Sequence, residues 1–286
     1  MEEPTFLLEG VEYNYEDGTP GLQGVSLGIE RGKKVAFLGP NGAGKSTLFL
    51  HLNGILRPFR GRIFFQGKEV RYARKELARL RTKVGIVFQN PDRQVVIGHV
   101  WEDVSFGPMN LGLSPPEVEG RVEEALKVTG LWDLRDKAVH LLSYGQKKRV
   151  ALAGILAMRP EVMILDEPTA SLDPGQVHSL LELLECLHRQ GIQIVLSTHD
   201  VDFAYAWADW VVIMHAGRVL AEGLPKEVFS DTDILKRASL TKPVLWRVWE
   251  QLNRAGVYVG GPPRTVEELS IHVARAATDG RASCGS

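Results

Sequence analysis

The run Gly39-Pro40-Asn41-Gly42-Ala43-Gly44-Lys45-Ser46-Thr47 has the residue types and spacing to hold a polyphosphate. It satisfies the P-loop pattern Gly-x-x-x-x-Gly-Lys-Ser/Thr. Glycines at 39, 42 and 44 let successive backbone N–H groups turn inward around phosphate oxygens, and a helix starting there adds its positive dipole end. Lys45 can reach the β- and γ-phosphates, and the Ser46 hydroxyl can ligate magnesium. Asn41 and Thr47 belong to the same phosphate cradle. A second run, Val162-Met163-Ile164-Leu165, leads straight into Asp166-Glu167. At the C-terminal end of a parallel strand these carboxylates would emerge beside the phosphate loop. There Asp166 can hold magnesium, directly or through water, and Glu167 can polarise an attacking water. Each group also has a plainer reading, a glycine-rich turn and a solvated acidic turn, but the two together favour nucleotide chemistry.

The elements that must position these groups are legible around them. Val35 to Leu38 is a short apolar run that ends at the loop, and Leu48, Leu52, Ile55 and Leu56 follow at helical spacing. Strand, glycine loop and helix therefore come in the required order. Before them, Phe6 to Leu8 with Val11 and Tyr13, then Val25 to Ile29, read as an antiparallel β layer broken by the turn at 16–21. Arg62 to Gln66 and Val84 to Phe88 add strands, with a basic helix from Arg74 to Arg81 between them. Ser114-Pro115-Pro116-Glu117 is a capping box with proline at the first helical position; Val118, Val122, Ala125 and Leu126 share one face, and Gly130 closes the helix. Val162 to Leu165 and Ile192 to Leu196 are apolar on both sides, which indicates a parallel sheet covered on both faces. Val177, Leu180, Leu181, Leu184 and Leu187 form the stripe of the crossover helix between them.

Near residue 240 the composition changes. Lys242-Pro243 precedes an apolar helix from Val244 to Leu252, Gly260-Gly261-Pro262-Pro263 makes a linker, and Thr265 to Glu268 is a capping box for a helix running to Ala277. The small polar residues 278–286 are expected to be disordered.

Composition limits the function. Lysine plus arginine total 34 against 35 aspartate plus glutamate, so no global positive charge marks a nucleic-acid binder. The basic triplet Lys147-Lys148-Arg149 reads as the solvated face of a helix. Cys186 and Cys284 are far apart and form no C-x-x-C pair, which suits a reducing compartment. The eight histidines make no close pair at ligand spacing, so no cage for a transition metal is expected. The start Met1-Glu2-Glu3-Pro4 does not follow the plan of a signal peptide, and no apolar run approaches the roughly 20 residues of a spanning helix. Any membrane role is expected to come through a partner.

Leu142-Ser143-Tyr144-Gly145-Gln146 before a helix completes a constellation. With the P-loop, Gln89, Asp166-Glu167, Ser171-Leu172-Asp173 and His199, it resembles the ATP-binding cassette (ABC) ATPases over roughly residues 5–238. The resemblance implies an α/β P-loop ATPase with an antiparallel N-terminal layer, an ATPase domain over 1–239, a helical subdomain inserted at about 90–159, and a C-terminal extension over 240–286. It implies ATP and Mg²⁺ as cofactors, with Ser46, Gln89 and Asp166 at the metal and Glu167, His199, Lys45 and Gln89 serving hydrolysis. Ser143 and Gly145 would contact the γ-phosphate held by a second copy, and Asp173 would reach across the same head-to-tail dimer. Tyr15 aligns with the aromatic that stacks on adenine, although Tyr13 lies two positions away on the same side of a strand. Tyr144 departs from the family, which usually has glycine there; an ordinary backbone with the ring turned away from phosphate is expected.

The stretches from Val87 to Gln94, Glu102 to Pro108 and Gln146 to Ala151 look like the ATPase subunits of energy-coupling-factor importers, most of all the cobalt/nickel branch. That resemblance implies a homodimer or a pair with a paralogous ATPase. It also implies integral membrane subunits docking in a groove near Gln89, with Arg93, Trp101, Phe106 and Met109 as groove residues. The chain would sit at the cytoplasmic face of the cell membrane and touch neither nucleic acid nor the transported ion. Three rivals remain. One is the ATPase of another importer or an exporter; the second is a soluble ABC protein acting on nucleic acid or ribosomes, against which stands the lack of a long coiled-coil insertion between Lys45 and Ser143; the last is a structural, non-hydrolysing pseudo-ATPase, which only Tyr144 supports.

Overall fold

The computed structural model describes residues 3–257, 260–271, 273 and 274. The chain opens with β1 (Phe6–Asn14), β2 (Pro20–Ile29), β3 (Val35–Leu38) and α1 (Lys45–Leu52), continues through β4 (Arg60–Phe65), β5 (Lys68–Glu69), α2 (Arg74–Lys83) and β6 (Val84–Val87), and then turns helical with α3 (Val100–Asn110), α4 (Pro115–Val128) and α5 (Tyr144–Leu156). It returns to the sheet with β7 (Val162–Leu165), α6 (Pro174–Arg189), β8 (Gln193–Thr198), α7 (Val201–Trp207), β9 (Trp210–His215) and β10 (Arg218–Gly223), and ends in α8 (Pro225–Ser230), α9 (Thr232–Arg237) and α10 (Val244–Arg254).

Two sheets organise these elements. The outer one has the order β2-β1-β4-β5, and the central one β10-β9-β3-β8-β7-β6. All central pairs are parallel except the β9–β10 hairpin at the edge. Side chains alternate across a strand, so each central strand feeds two cores. Val35 and Phe37 of β3, Ile164 of β7 and Val195 of β8 face the outer sheet and α1. Ala36 and Leu38, Met163 and Leu165, and Ile194 and Leu196 face α3, α4, α5 and the C-terminal helices. This is why the central runs carry no polar face. Phe37 is fully buried and meets Phe49 of α1 edge to face at 5.2 Å. Its truncation to alanine would cost about 3–5 kcal/mol.

Strand β8 lies between β3 and β7, so the phosphate loop after β3 and the carboxylates after β7 are separated by one strand of the same sheet edge. Register confirms the alignment of the ends: Leu38 pairs with Thr198, and Leu196 with Leu165. The helices α3 to α5 form the helical subdomain between β6 and β7. Its α4 begins as the capping box requires, with the Glu117 carboxylate accepting from the Ser114 N–H at 3.2 Å, and closes at Gly130 with φ +68°.

Three features differ from the sequence pattern. Helix α1 stops at Leu52, because Asn53 and Gly54 (φ +69°) form its C-terminal cap; Ile55 therefore leaves the helical face and is 44% exposed. Strands β9 and β10, joined by a turn at Ala216 and Gly217 with φ +46° and +72°, extend the sheet beyond the strands read from the pattern. In the extension, the Arg264 guanidinium donates to the carbonyls of Tyr205, Ala206 and Ala208, satisfying the open end of α7 that no sequence pattern foretold. Trp246 of α10 packs its ring 5.8 Å from that of Tyr205. Thr265 caps a further helix that starts at Val266 beyond α10, its hydroxyl accepting from the Glu268 N–H at 3.2 Å, while the end of that helix near Ala277 and the tail at 278–286 lie outside the described residues.

Candidate nucleotide-hydrolysis site

The phosphate loop is built by conformations that glycine permits. Gly39 has φ +148°, and a Cβ there would run into the Met214 carbonyl of β9; Gly44 has φ +100°, and a Cβ there would stand 2.8 Å from the Gly21 carbonyl. The loop is thus packed between the hairpin side of the sheet and β2. Asn41, Gly42 and Ser46 are exposed at its mouth, where α1 presents its free N–H groups. Lys45 is buried and folds back to donate to the Gly39 carbonyl at 2.6 Å. Burial pushes its ammonium below the usual lysine range, opposed by the charges of Glu167 and Asp166.

Across the sheet edge, β7 delivers the two carboxylates and β8 organises them. The Ser197 hydroxyl donates to Asp166 Oδ1 at 2.6 Å and accepts from the Glu167 N–H at 2.8 Å. Glu167 is 7% exposed and takes φ +44°, a conformation costing about 1–3 kcal/mol for a residue with a side chain. Its Oε2 lies 2.9 Å from His199 Nδ1, and its buried Oε1 has no hydrogen-bond partner, with Lys45 Nζ 3.9 Å away. One chain therefore brings Lys45, Asp166, Glu167 and His199 to a single locus. The unpartnered Oε1 could accept a hydrogen bond from a water.

Gln89 follows β6, the strand beside β7, and its side chain is exposed. Gln94 shapes that loop by accepting from the Phe88 N–H and donating to the Ile86 carbonyl, both at 3.0 Å. Tyr144 opens α5 in helical backbone, as expected, and its hydroxyl donates to the Gln89 carbonyl at 3.0 Å. The basic triplet is not a solvated face. Lys148 is only 7% exposed and donates to the carbonyls of Glu167, Pro168 and Ala170 at 3.2, 2.9 and 2.7 Å. Lys147 pairs with Asp92 at 2.7 Å, and Arg149 reaches the Thr129 carbonyl at 3.4 Å. Ser197, Gln94 and Lys148 thus hold the backbone of these loops, although no motif marks them for it. A hydroxyl two residues before His199 at a strand end was the available sign of the first.

Tyr15 is 41% exposed, and its hydroxyl lies 2.6 Å from Thr47 Oγ1, which ties it to the phosphate loop. Tyr13 turns inward, edge-on to His51 at 4.8 Å, and supports Tyr15 from 5.2 Å. Ser143 caps α5, accepting from the Gln146 N–H at 3.2 Å, and Asp173 caps α6, accepting from the Gln176 N–H at 2.9 Å. Gly145 lies against the Gln176 side chain, which a Cβ would meet at 2.8 Å. Ser143 and Gly145 line a cavity of about 250 Å³ with Leu172 and Gln176, a cavity distinct from the phosphate loop of their own chain.

The family model described as ABC transporter matches residues 22–170, from β2 through the carboxylates. The energy-coupling factor transporter ATP-binding protein EcfA of Methanothermobacter thermautotrophicus is 50% identical over 261 residues, covering 91% of this chain and 84% of that protein. The chain belongs to the ABC transporter ATPases. Within them it groups with energy-coupling-factor ATP-binding proteins, EcfA of Methanocaldococcus jannaschii being 52% identical over 242 residues with 85% of this chain and 87% of that one covered. Among solved structures it is similar to CbiO1 of Clostridium perfringens, described as part of the ABC transporter complex CbiONQ. That likeness has 46% identity and a TM-score of 0.74, covering 89% of this chain and 98% of that one. It also resembles an ATP-binding cassette solved as a dimer with ADP and phosphate, at 28% identity and TM-score 0.71, covering 77% of this chain and 98% of that one.

As an ABC ATPase the chain binds ATP and hydrolyses it. A magnesium ion would find oxygen donors here. Ser46, Asp166 and Gln89 offer hydroxyl, carboxylate and amide oxygens, hard donors few enough to leave room for phosphate oxygens and water. Among the described residues no group of three or more His, Cys, Asp and Glu is disposed to hold a metal. Bound there, magnesium would neutralise charge on the phosphates.

Proposed function

We propose that this ATPase energises import of cobalt, nickel or a related micronutrient through integral membrane subunits, with two sites formed where two copies, or one copy and a paralogous ATPase, close head to tail. The observation that carries the hydrolytic part is the carboxylate of Glu167, buried between His199 and Lys45 with one oxygen unpartnered. In this reading Lys45, the loop glycines and Asn41, Ser46 and Thr47 hold the phosphates, Tyr15 stacks on the base, and Ser46, Gln89 and Asp166 hold Mg²⁺. Glu167 polarises the water and His199 orients it against the γ-phosphate. Ser143, Gly145 and Asp173 act on the nucleotide of the second subunit. The cavity lined by Ser143 and Gly145 takes none of its lining from the phosphate loop, which supports that arrangement.

In this reading residues 1–239 are the ATPase domain and 240–286 an extension, of which Trp246 and Arg264 pack on α7. The likeness to energy-coupling factor transporter ATP-binding proteins supports a peripheral position at the cytoplasmic face, reached through partners; among the described residues no helix is long and apolar enough to cross a membrane. Phe106 and Met109 of α3 are 57% and 64% exposed and Val96, soon after the Gln89 loop in the chain, is 75% exposed; these apolar side chains support docking of membrane subunits together with Arg93 and Trp101. The transported ion would meet those other subunits. Affinity purification from membranes, followed by uptake assays with radioactive Co²⁺, Ni²⁺ and vitamins, tests the reading. Recovery of no membrane subunit, together with salt-sensitive affinity for nucleic acid, would replace it with a soluble role.

A further inference from the structure

We infer that Tyr144 and Lys148 are positioning residues: together they brace the backbone that carries Glu167 and tie it to the Gln89 loop, so that hydrolysis depends on how that loop is seated. The inference rests on the hydrolytic role proposed for Glu167. Tyr144 and Lys148 stand one turn apart on α5 and so share a face. The Lys148 ammonium lies 5.4 Å from the centre of the Tyr144 ring, within the range of a cation–π contact. A lysine has three N–H donors, and the three carbonyls of Glu167, Pro168 and Ala170 receive them.

That stretch of chain needs a brace. Glu167 and Ser171 hold φ of +44° and +62°, which side-chain-bearing residues adopt only where the surroundings dictate it. On the sheet side, the Ser197 hydroxyl fixes the Glu167 N–H. On the helical side, Lys148 fixes the Glu167 carbonyl. With both main-chain ends of the residue pinned, the carboxylate has a defined origin from which to meet His199. A lysine placed only to fill space would not have all its protons aimed at one loop.

The tyrosine supplies the second tie. Its hydroxyl donates to the Gln89 carbonyl, and one turn along, the Lys147–Asp92 ion pair at 2.7 Å ties α5 to the same loop. A displacement of the Gln89 loop would therefore pull on the start of α5, and through Lys148 on the segment beyond Glu167. Glycine, which the family resemblance places at 144, could make neither the ring contact nor the hydroxyl bond.

Steady-state ATPase kinetics and equilibrium ATP binding of the full chain test the brace with Lys148→Met, Lys148→Arg, Tyr144→Phe, the double variant Tyr144→Phe/Lys148→Met, and Glu167→Gln as reference. A slight misplacement of a catalytic group is expected to lower kcat by about ten- to a hundredfold in Lys148→Met, with KM and ATP affinity within about twofold of wild type. Lys148→Arg, which keeps a multidentate cation, should recover most of the loss. Tyr144→Phe should lower kcat by a few fold, and the double variant should match Lys148→Met alone, because both residues act along one chain of contacts. Wild-type kcat in Lys148→Met or Tyr144→Phe beside an inactive Glu167→Gln overturns the brace alone, as does multiplication of the two single effects. Undiminished turnover in Glu167→Gln overturns the reading of Glu167 itself. Should Lys148→Met fail to fold, Tyr144→Phe and Lys148→Arg decide: wild-type kcat in the first, or no activity in a folded second, sinks the proposal.

Discussion

His199 Nδ1 lies 2.9 Å from Glu167 Oε2, joining the ends of β8 and β7 through two side chains of unequal exposure: the histidine side chain is 72% exposed and the glutamate side chain 9%. The imidazole can thus meet a nucleotide arriving from solvent while holding the carboxylate behind it. Replacing Glu167 with Gln keeps the size and removes the charge. Turnover is expected to fall by about 10²–10⁴-fold, the range of general acid–base catalysis, while ATP affinity is retained. Phosphate-release kinetics paired with nucleotide binding check this; turnover equal to wild type would refute the role.

Lys45 presents its ammonium to the loop carbonyls of Gly39 and Pro40, at 2.6 and 3.3 Å, where phosphate oxygens would take it over. Lys45→Ala is expected to weaken ATP binding by about 1.5–3 kcal/mol, the worth of hydrogen bonds to a charged group, or roughly ten- to a hundredfold in Kd. Isothermal titration with a slowly hydrolysed ATP analogue measures it, and unchanged affinity would count against the phosphate-loop reading.

Tyr15 and Tyr13 separate by experiment because one faces solvent and the other packs on His51. Tyr15→Ala should lose about 1–3 kcal/mol of nucleotide affinity, and Tyr15→Phe, which keeps the ring, should lose far less. Tyr13→Ala should instead show mainly as a lowered melting temperature. ATP and GTP affinities should be similar, since stacking tolerates base identity; a reversal of the two tyrosines' effects would move the base to Tyr13.

Lys148 makes stability depend on pH. Burial pushes its ammonium from 10.5 down to about 8, against the pull of the Glu167 charge. Between those values the unfolded chain holds more protons at this residue than the folded chain, so the residue's contribution to stability rises with pH across that window. Below it both states are charged and the contribution is flat. Urea denaturation of wild type and Lys148→Met, in steps from about pH 7 to 10, should show wild type gaining on the variant as pH rises. A difference constant with pH would contradict the burial of a charged lysine at this position.

Much of this molecule is local. The phosphate loop, the carboxylates that end β7 and the caps of α4 and α5 depend on consecutive residues, whose backbone preferences act within a turn or two. Apolar runs without a polar face were enough to indicate a sheet covered on both sides, and the elements that carry the site emerged at nearly their expected places. Where local signals competed, the helical spacing of Leu48, Leu52, Ile55 and Leu56 lost to the Asn53-Gly54 cap.

What the residues alone determined was the chemistry on offer: a phosphate cradle, a lysine, two carboxylates and a histidine, each at the end of its own strand or loop. What the tertiary structure decided was their relation. The insertion of β8 between β3 and β7 puts Ser197 where one hydroxyl serves both Asp166 and Glu167. The packing of α5 turns Lys148 inward onto three carbonyls and sets Tyr144 on Gln89. Those contacts join residues far apart in the chain, and their partners are chosen by strand order and helix docking, which no window of neighbouring residues contains.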